Sequence, residues 1–331
     1  MKLTLKLLLL AAGMALFGWY VQRVGVAELG VALRQLGWAA PLVLLPYSVV
    51  YLVDCLGWRW TLPAKLPVGF FALLRIRWAG EAVNNVVPSA YVGGEAVKVY
   101  LLGQRGVPAA SATSAAIVSK SAQTVAQIGF IALGALALRL LAPAQPGLRP
   151  ALAVIMIGGT ATVGLLFWLQ RRGVFRTLLA VADFVRLAPG WLRERRIGWL
   201  ETDHTIGTFY REQRGRFLAR VFSYLVGWLL DTVEIYLVAA LLHQPLTWSQ
   251  AVAIEAFTGV AKMMGMWIPG ALGVQEGGLL LVGRWVGLPE PFCLVYAVIR
   301  RGRELVFVGL GGLFLYASHV DFRRLTASRE A

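Results

Sequence analysis

Acidic side chains, histidines and cysteines are all scarce in this chain of 331 residues. Asp and Glu number 17 against 32 Lys and Arg, and charged residues of both signs make up only 15%. A soluble domain ordinarily carries about 25%. His204, His243 and His319 are scattered, and there is no H-E-x-x-H, no G-x-S-x-G and no Walker A loop. Zinc-protease, serine-hydrolase and ATP-hydrolysing motifs are therefore excluded. No nucleophile–base pair is visible, so the chain reads as a non-enzyme without cofactor or metal. The two cysteines, Cys55 and Cys293, both fall in apolar stretches, which excludes a disulfide framework. Basic residues do not interleave with aromatics in a stripe, so the net charge of +15 does not indicate a nucleic-acid partner.

What the chain has in excess is apolar surface. Hydrophobic residues make up 58% and the mean hydropathy is +0.67. Segments at about 4–22, 38–60, 109–138, 151–170, 217–243 and 291–318 are each long enough to cross about 30 Å of hydrocarbon. The first begins like a signal peptide but runs on through Gly18-Trp19-Tyr20 without a small-residue cleavage site, and reads as an uncleaved span. Two further apolar segments, roughly 68–102 and 249–286, are interrupted by Pro88 and Pro269 with glycines nearby. Proline removes a helical donor and clashes with the preceding turn, so neither is a single straight helix. The expected fold is an all-α polytopic membrane protein of six spanning helices and two re-entrant broken helices.

The basic residues set the orientation. With both interrupted segments re-entrant, the N-terminus, the 59–77 and 98–105 connections, the 171–216 loop and the tail share one side. That side collects 21 Lys and Arg, ten of them arginines of the 171–216 loop. The other side keeps only Arg23, Arg34, Arg139, Arg149 and Arg284. The positive-inside rule makes the first side cytoplasmic and places both termini there, in a bacterial inner membrane. Three crossings per half then put the second half (about 150–320) upside down relative to the first (about 1–142), an inverted repeat. Residues 1–320 form one transmembrane domain and 321–331 a cytoplasmic tail. In the 171–216 loop Phe175, Leu178, Leu179 and Phe184 share a helical face among arginines. This fits either an interfacial helix on an anionic leaflet or a solvated linker.

The interrupted segments carry the chemistry. Each has a glutamate seven residues after its proline, Glu95 and Glu276. Glu81, Asn84 and Asn85 precede the first break on one helical face, and Gly93-Gly94 permits a sharp turn. The helix restarting there would aim free N–H groups at an anion, with Lys98 one turn on; alternatively Glu95 only caps that helix. Around the second break lie Glu255, Lys262 and Gly273, with Glu255 and Lys262 two turns apart as a pair or as cavity lining. Lys120 sits in a polar stripe of an apolar span and needs an acidic partner, for which Asp231 and Glu234 are candidates, or water. In the last span Arg300 and Glu304 have i,i+4 spacing, beside Arg301 and Arg303. Asp54 reads as a snorkelling or hinge residue. An isolated intramembrane charge costs about 2.5–3.5 kcal/mol, so these groups are either paired or functional.

The pattern Gly80-Glu81…Asn84…Pro88…Gly93-Gly94-Glu95-Ala-Val-Lys98, then Pro269-Gly-Ala-Leu-Gly-Val-Gln-Glu276-Gly, resembles the flippase-like membrane domain of lysylphosphatidylglycerol synthases over about residues 1–320. Within that superfamily Ser119-Lys120 with Gln123-Thr124 most resembles the hopanoid-biosynthesis-associated branch; many relatives instead have an acidic–arginine pair near this point, from which this chain departs. The larger synthases carry a soluble aminoacyl-transferase domain for which this chain has no room. The resemblance implies movement of a polar or anionic lipid between leaflets, with Glu81, Asn84, Glu95 and Glu276 at motif-matched positions. Membrane lipids, anionic cytoplasmic-leaflet headgroups in particular, are the expected partners, together with lipid-biosynthesis enzymes. A non-transporting scaffold is the alternative, and an intramembrane lipid-modifying enzyme a weaker one.

Overall fold

The computed structural model describes residues 18–318 apart from 20–21, 23–24, 64–66, 88, 90, 143–144, 146 and 186–195. Pro88, the 321–331 tail and all of the expected 4–22 span except Gly18, Trp19 and Gln22 lie outside the described residues. The described residues form helices and turns, with no strand among them. Helix α1 (Val26–Leu36) leads through a 3₁₀ segment, Gly37–Val43, into α2 (Leu44–Arg59). Next come α3 (Phe70–Val86), α4 (Val92–Gly103), α5 (Ala109–Leu141) and α6 (Leu148–Arg172). Two shorter helices follow, α7 (Val174–Phe184) and α8 (Arg196–Glu212). The chain ends in α9 (Arg214–Leu241), α10 (Trp248–Met264), α11 (Val274–Trp285) and α12 (Glu290–Ala317).

Local chemistry explains several boundaries. Thr247 and Gln250 form a reciprocal capping box at the start of α10. Pro289 and Pro291 open α12, where proline's fixed φ suits the first turn. Among the described residues, four helical stretches are long and apolar enough to cross a membrane: Gly30–Arg59, Ala109–Leu141, Leu148–Arg172 and Arg214–Leu241. At 28 residues α12 spans about 42 Å, but Arg300, Arg301, Arg303 and Glu304 interrupt its apolar run. The most apolar stretch of α6 has none of its residues buried, and Val154, Ile157 and Leu165 point outward. An apolar face of that size suits contact with lipid rather than water. The protein is an all-α, multi-pass membrane protein.

Both interrupted segments fold back as antiparallel hairpins. In the first, Gly80 of α3 meets Gly94 and Lys98 of α4. In the second, Ala261 of α10 meets Gly278 of α11, and Gln250 Nε2 donates to the Val286 carbonyl at 2.8 Å. Small residues permit such close backbone approach. The two halves also pack reciprocally. The last long helix of the first half, α5, lies on α10, while the last of the second half, α12, lies on α3. A glycine sits at each crossing: Gly134 against Ala256, and Gly311 against the Trp78 carbonyl and Ala82. Helices α2 and α9 pack on each other at Gly57 and Ser223.

The 171–216 segment is more structured than a solvated linker. Ile206 and Phe209 of α8 are buried against Val118 of α5. On α7, Leu179 is buried and Phe175 packs on Trp199 at 4.4 Å between centroids, whereas Leu178, Val181 and Phe184 are exposed. The face expected to be continuous is thus divided: one part holds α8, and the other is free.

A methyl group on Gly94 would stand 2.1 Å from the Gly80 carbonyl oxygen, a backbone atom that cannot step aside. Gly94→Ala should therefore destabilise the purified protein by about 1–3 kcal/mol, read as a lowered midpoint in scanning fluorimetry. Gly103→Ala, with open space around it, should leave the midpoint unchanged or slightly raised.

Candidate substrate site between two helical hairpins

At the tip of the first hairpin the backbone leaves α3 at an extended Val87 and enters α4 through Tyr91, which holds a left-handed φ of 62°. Gly93 N donates to Ser89 Oγ (3.0 Å) and Gly94 N to Asn84 Oδ1 (2.9 Å). These two amides, expected to face an incoming anion, are thus already engaged within the hairpin. The cause is the Gly80–Gly94 approach, which brings Asn84 over the start of α4. Asn85 Nδ2 donates to the Glu81 carbonyl at 3.0 Å.

The second tip turns through Gly270 (φ 60°), Ala271 (φ 51°) and Gly273 (φ 80°). Glu276 Oε2 accepts from Gly273 N at 2.7 Å, capping α11. Its other oxygen accepts from Arg301 Nε at 2.5 Å. Arg301 Nη1 also donates to the Gly270 carbonyl (2.8 Å) and to Glu304 (2.5 Å), filling the break. The 3₁₀ turn Pro269–Ala271 packs on α3, and a methyl on Gly270 would lie 4.0 Å from the Asn85 carbonyl. The two tips meet.

Around them runs a balanced ion network. Eight acids (Asp54, Glu81, Glu95, Asp231, Glu234, Glu255, Glu276, Glu304) pair with eight bases (Arg77, Lys98, Lys120, Arg220, Lys262, Arg300, Arg301, Arg303). The pairings differ from those that spacing suggests. Lys120 pairs with Glu95 (3.3 Å) rather than with Asp231 or Glu234, which both bind Arg303. Arg300 ignores Glu304 and grips Glu255 through two bonds of 2.6 and 2.8 Å; Lys262 takes Glu304 at 3.4 Å. Helix rotation and interhelical distance decide these partners, and neither can be read from spacing within one helix.

Three network members have other places than their sequence context suggests. Asp54 is neither snorkelling nor at a hinge: it is buried between Arg77 and Arg220. Arg77 and Lys98, assigned to cytoplasmic connections, lie inside α3 and α4. Arg77 bridges Asp54 and Glu81, while Lys98 lies over Trp58 and pairs with Glu95 at 2.6 Å. Arg220, only 1% exposed, also donates to Ser119 and Tyr224 and was not singled out in the sequence. Arg303 stacks on Tyr47, with its guanidinium 3.7 Å from the ring centroid.

Two bases stand apart. The Lys120 side chain is 39% exposed and that of Lys262 is 24% exposed, and their acid contacts are longer than 3.2 Å. Lys120 Nζ lies 5.8 Å from the centroid of the Tyr91 ring. Tyr91 was missed in the sequence; its only signal was its position directly before Val92-Gly93-Gly94. Of the eight bases in the network, Lys120 and Lys262 are the most exposed.

Glu255 is 2% exposed and its bond to Arg300 is bidentate, so removing one partner strands a buried charge. Arg300→Met should cost about 3–5 kcal/mol, seen as loss of monodisperse protein in size-exclusion chromatography. The Glu255→Leu/Arg300→Met double variant should recover most of that loss.

A family model described as the lysylphosphatidylglycerol synthase TM region matches residues 3–312. A UPF0104 membrane protein of Methanothermobacter thermautotrophicus is 24% identical, with 89% of each chain covered. No solved structure matches the chain. With nearly its whole length matched by that one model, the chain belongs to the lysylphosphatidylglycerol synthase transmembrane-region family.

Proposed function

We propose that this protein carries a polar lipid with an anionic headgroup from one membrane leaflet to the other. The observation that carries this reading is the meeting of the two hairpin tips beside Lys120 and Lys262, the most exposed bases of an otherwise enclosed network. A headgroup phosphate would displace Glu95 or Glu304 from these lysines while the acyl tails stay in lipid. Lysine suits this exchange, because its ammonium is a flexible point charge rather than a fixed fork. Glu81, Asn84, Asn85, Glu95, Lys98, Glu276, Arg301 and Glu304 would shape the path. The enclosed Glu255–Arg300 pair is given a packing role.

Reciprocal packing of α5 on α10 and of α12 on α3 is what an inverted repeat requires, and rocking of one half against the other would alternate access to the tips. The membrane assigned is the bacterial inner membrane, with both termini cytoplasmic. The resemblance of Ser119-Lys120 and Gln123-Thr124 makes a hopanoid-type lipid an alternative cargo.

A second reading rests on α7. Its exposed Leu178, Val181 and Phe184 suit a scaffold that lies on the bilayer and gathers lipid-biosynthesis enzymes without transporting anything.

Reconstitution separates the two. Purified protein in liposomes should expose fluorescent anionic phospholipid from the inner leaflet to dithionite quenching. Lys120→Gln/Lys262→Gln should slow this at least about tenfold, with an unchanged elution profile. Wild-type rates equal to those of protein-free liposomes would sink the transport reading and favour the scaffold. Chemically altered lipid after incubation would instead indicate an enzyme.

A further inference from the structure

A second concentration of positive charge lies away from the hairpin tips and plays no part in the ion network. A cavity of about 730 Å³ opens where the end of α6, the start of α7 and the length of α8 converge. Arg171, Arg172, Arg176, Arg211 and Arg214 line it. Among the described residues none of the five forms an ion pair. Its acidic lining residue, Asp203, is committed elsewhere: Oδ1 accepts from Phe175 N (3.1 Å) and Oδ2 from Arg176 N (2.8 Å). Asp203 therefore fastens α7 to α8 and leaves the guanidinium groups unmatched.

The wall is built rather than loosely assembled. Arg172 lies over the Trp168 ring at 4.5 Å, and Arg211 donates to Thr208 Oγ1 at 3.3 Å. At the inner wall, buried Gln170 donates to Ser121 Oγ at 2.5 Å and ties α6 to α5. Five like charges in one concavity repel each other and focus a positive potential that a bound anion relieves. Guanidinium forks match phosphate oxygens in pairs. The volume falls within the range of about 300–1,000 Å³ common for small-molecule sites. A phosphodiester brings a single charge to this wall; a monoester brings about 1.5–2.

We propose that this cavity is a binding site for a phosphate monoester or diphosphate group, carried on a lipid or on a soluble molecule. The site stands independently of transport at the hairpin tips. Its position beside the exposed apolar face of α7 gives access to both sources.

The test uses the full chain in detergent. Inorganic pyrophosphate is titrated by calorimetry, and phosphatidic acid and phosphatidylglycerol are each added before native mass spectrometry. Pyrophosphate binding, retention of phosphatidic acid over phosphatidylglycerol, or both is expected. Each should weaken at least about tenfold in Arg171→Gln/Arg214→Gln and stay unchanged in Arg139→Gln. Arg176→Gln is read beside the double variant, so that a misfolded double variant does not decide the outcome. Pyrophosphate binding without lipid retention assigns a soluble ligand, and the converse a lipid. Absence of both, equal retention of the two lipids without pyrophosphate binding, or binding indifferent to the cavity variants would overturn the proposal.

Discussion

Ionised side chains cannot remain alone in hydrocarbon, and the interior of this protein is organised around that constraint. Each of the sixteen ionised groups in the interior network has an opposite charge within ion-pairing distance. Some pairs lie within one helix, as Arg77–Glu81, Glu95–Lys98 and Arg301–Glu304 do, but others cross between helices. Asp54–Arg220 ties α2 to α9, Glu255–Arg300 ties α10 to α12, and Glu234–Arg303 ties α9 to α12. Helix rotation is thereby specified: turning any of these helices by one residue would strand several charges at once. Stability is a separate matter, since apolar packing of similar volume often matches a buried pair; what the pairs contribute here is register.

Glycine makes that register reachable. Without Gly80 and Gly94 the first hairpin could not close, and Asn84 would not reach the Gly94 amide. Gly134 and Gly311 allow the halves to interlock at matching crossings. The result is two broken helices whose tips touch, each stiffened by its own side chains: Ser89 and Asn84 in one, Glu276 and Arg301 in the other. A site assembled this way is pre-formed, and little backbone ordering remains to be done when a ligand arrives.

How far the sequence could be read follows from the range of each signal. Apolar runs and their proline–glycine interruptions are local, so the multi-pass class and both hairpins were legible. The glutamates seven residues after each proline did mark the breaks, yet they sit differently. Glu276 caps α11, whereas Glu95 faces Lys98 and Lys120. Partners were not legible. Arg300 and Glu304 have ideal i,i+4 spacing but bind elsewhere, because Glu255 on a neighbouring helix offers Arg300 a bidentate geometry that one helix face cannot. Arg77 looked like a loop residue because α3 begins seven residues before it, and the apolar run that buries it also contains Arg75.

The two sets of cations differ in how they are matched. In the interior, the arginines are fixed by carboxylates, and Lys120 and Lys262 are the most exposed bases, with acid contacts of 3.3 and 3.4 Å. At the α6–α8 cavity the arginines have no such carboxylates among the described residues. Desolvation explains the division. An unpaired guanidinium in the bundle would be prohibitively unfavourable, whereas at the cavity it stays partly hydrated and can wait for an anion. On the transport reading proposed above, the strongest anion-binding groups are kept where water supports them, and the weaker, mobile ammonium groups stand where a headgroup would have to be released. Tight binding at the tips would trap a headgroup there, so these exposed lysines suit a path better than free arginines would.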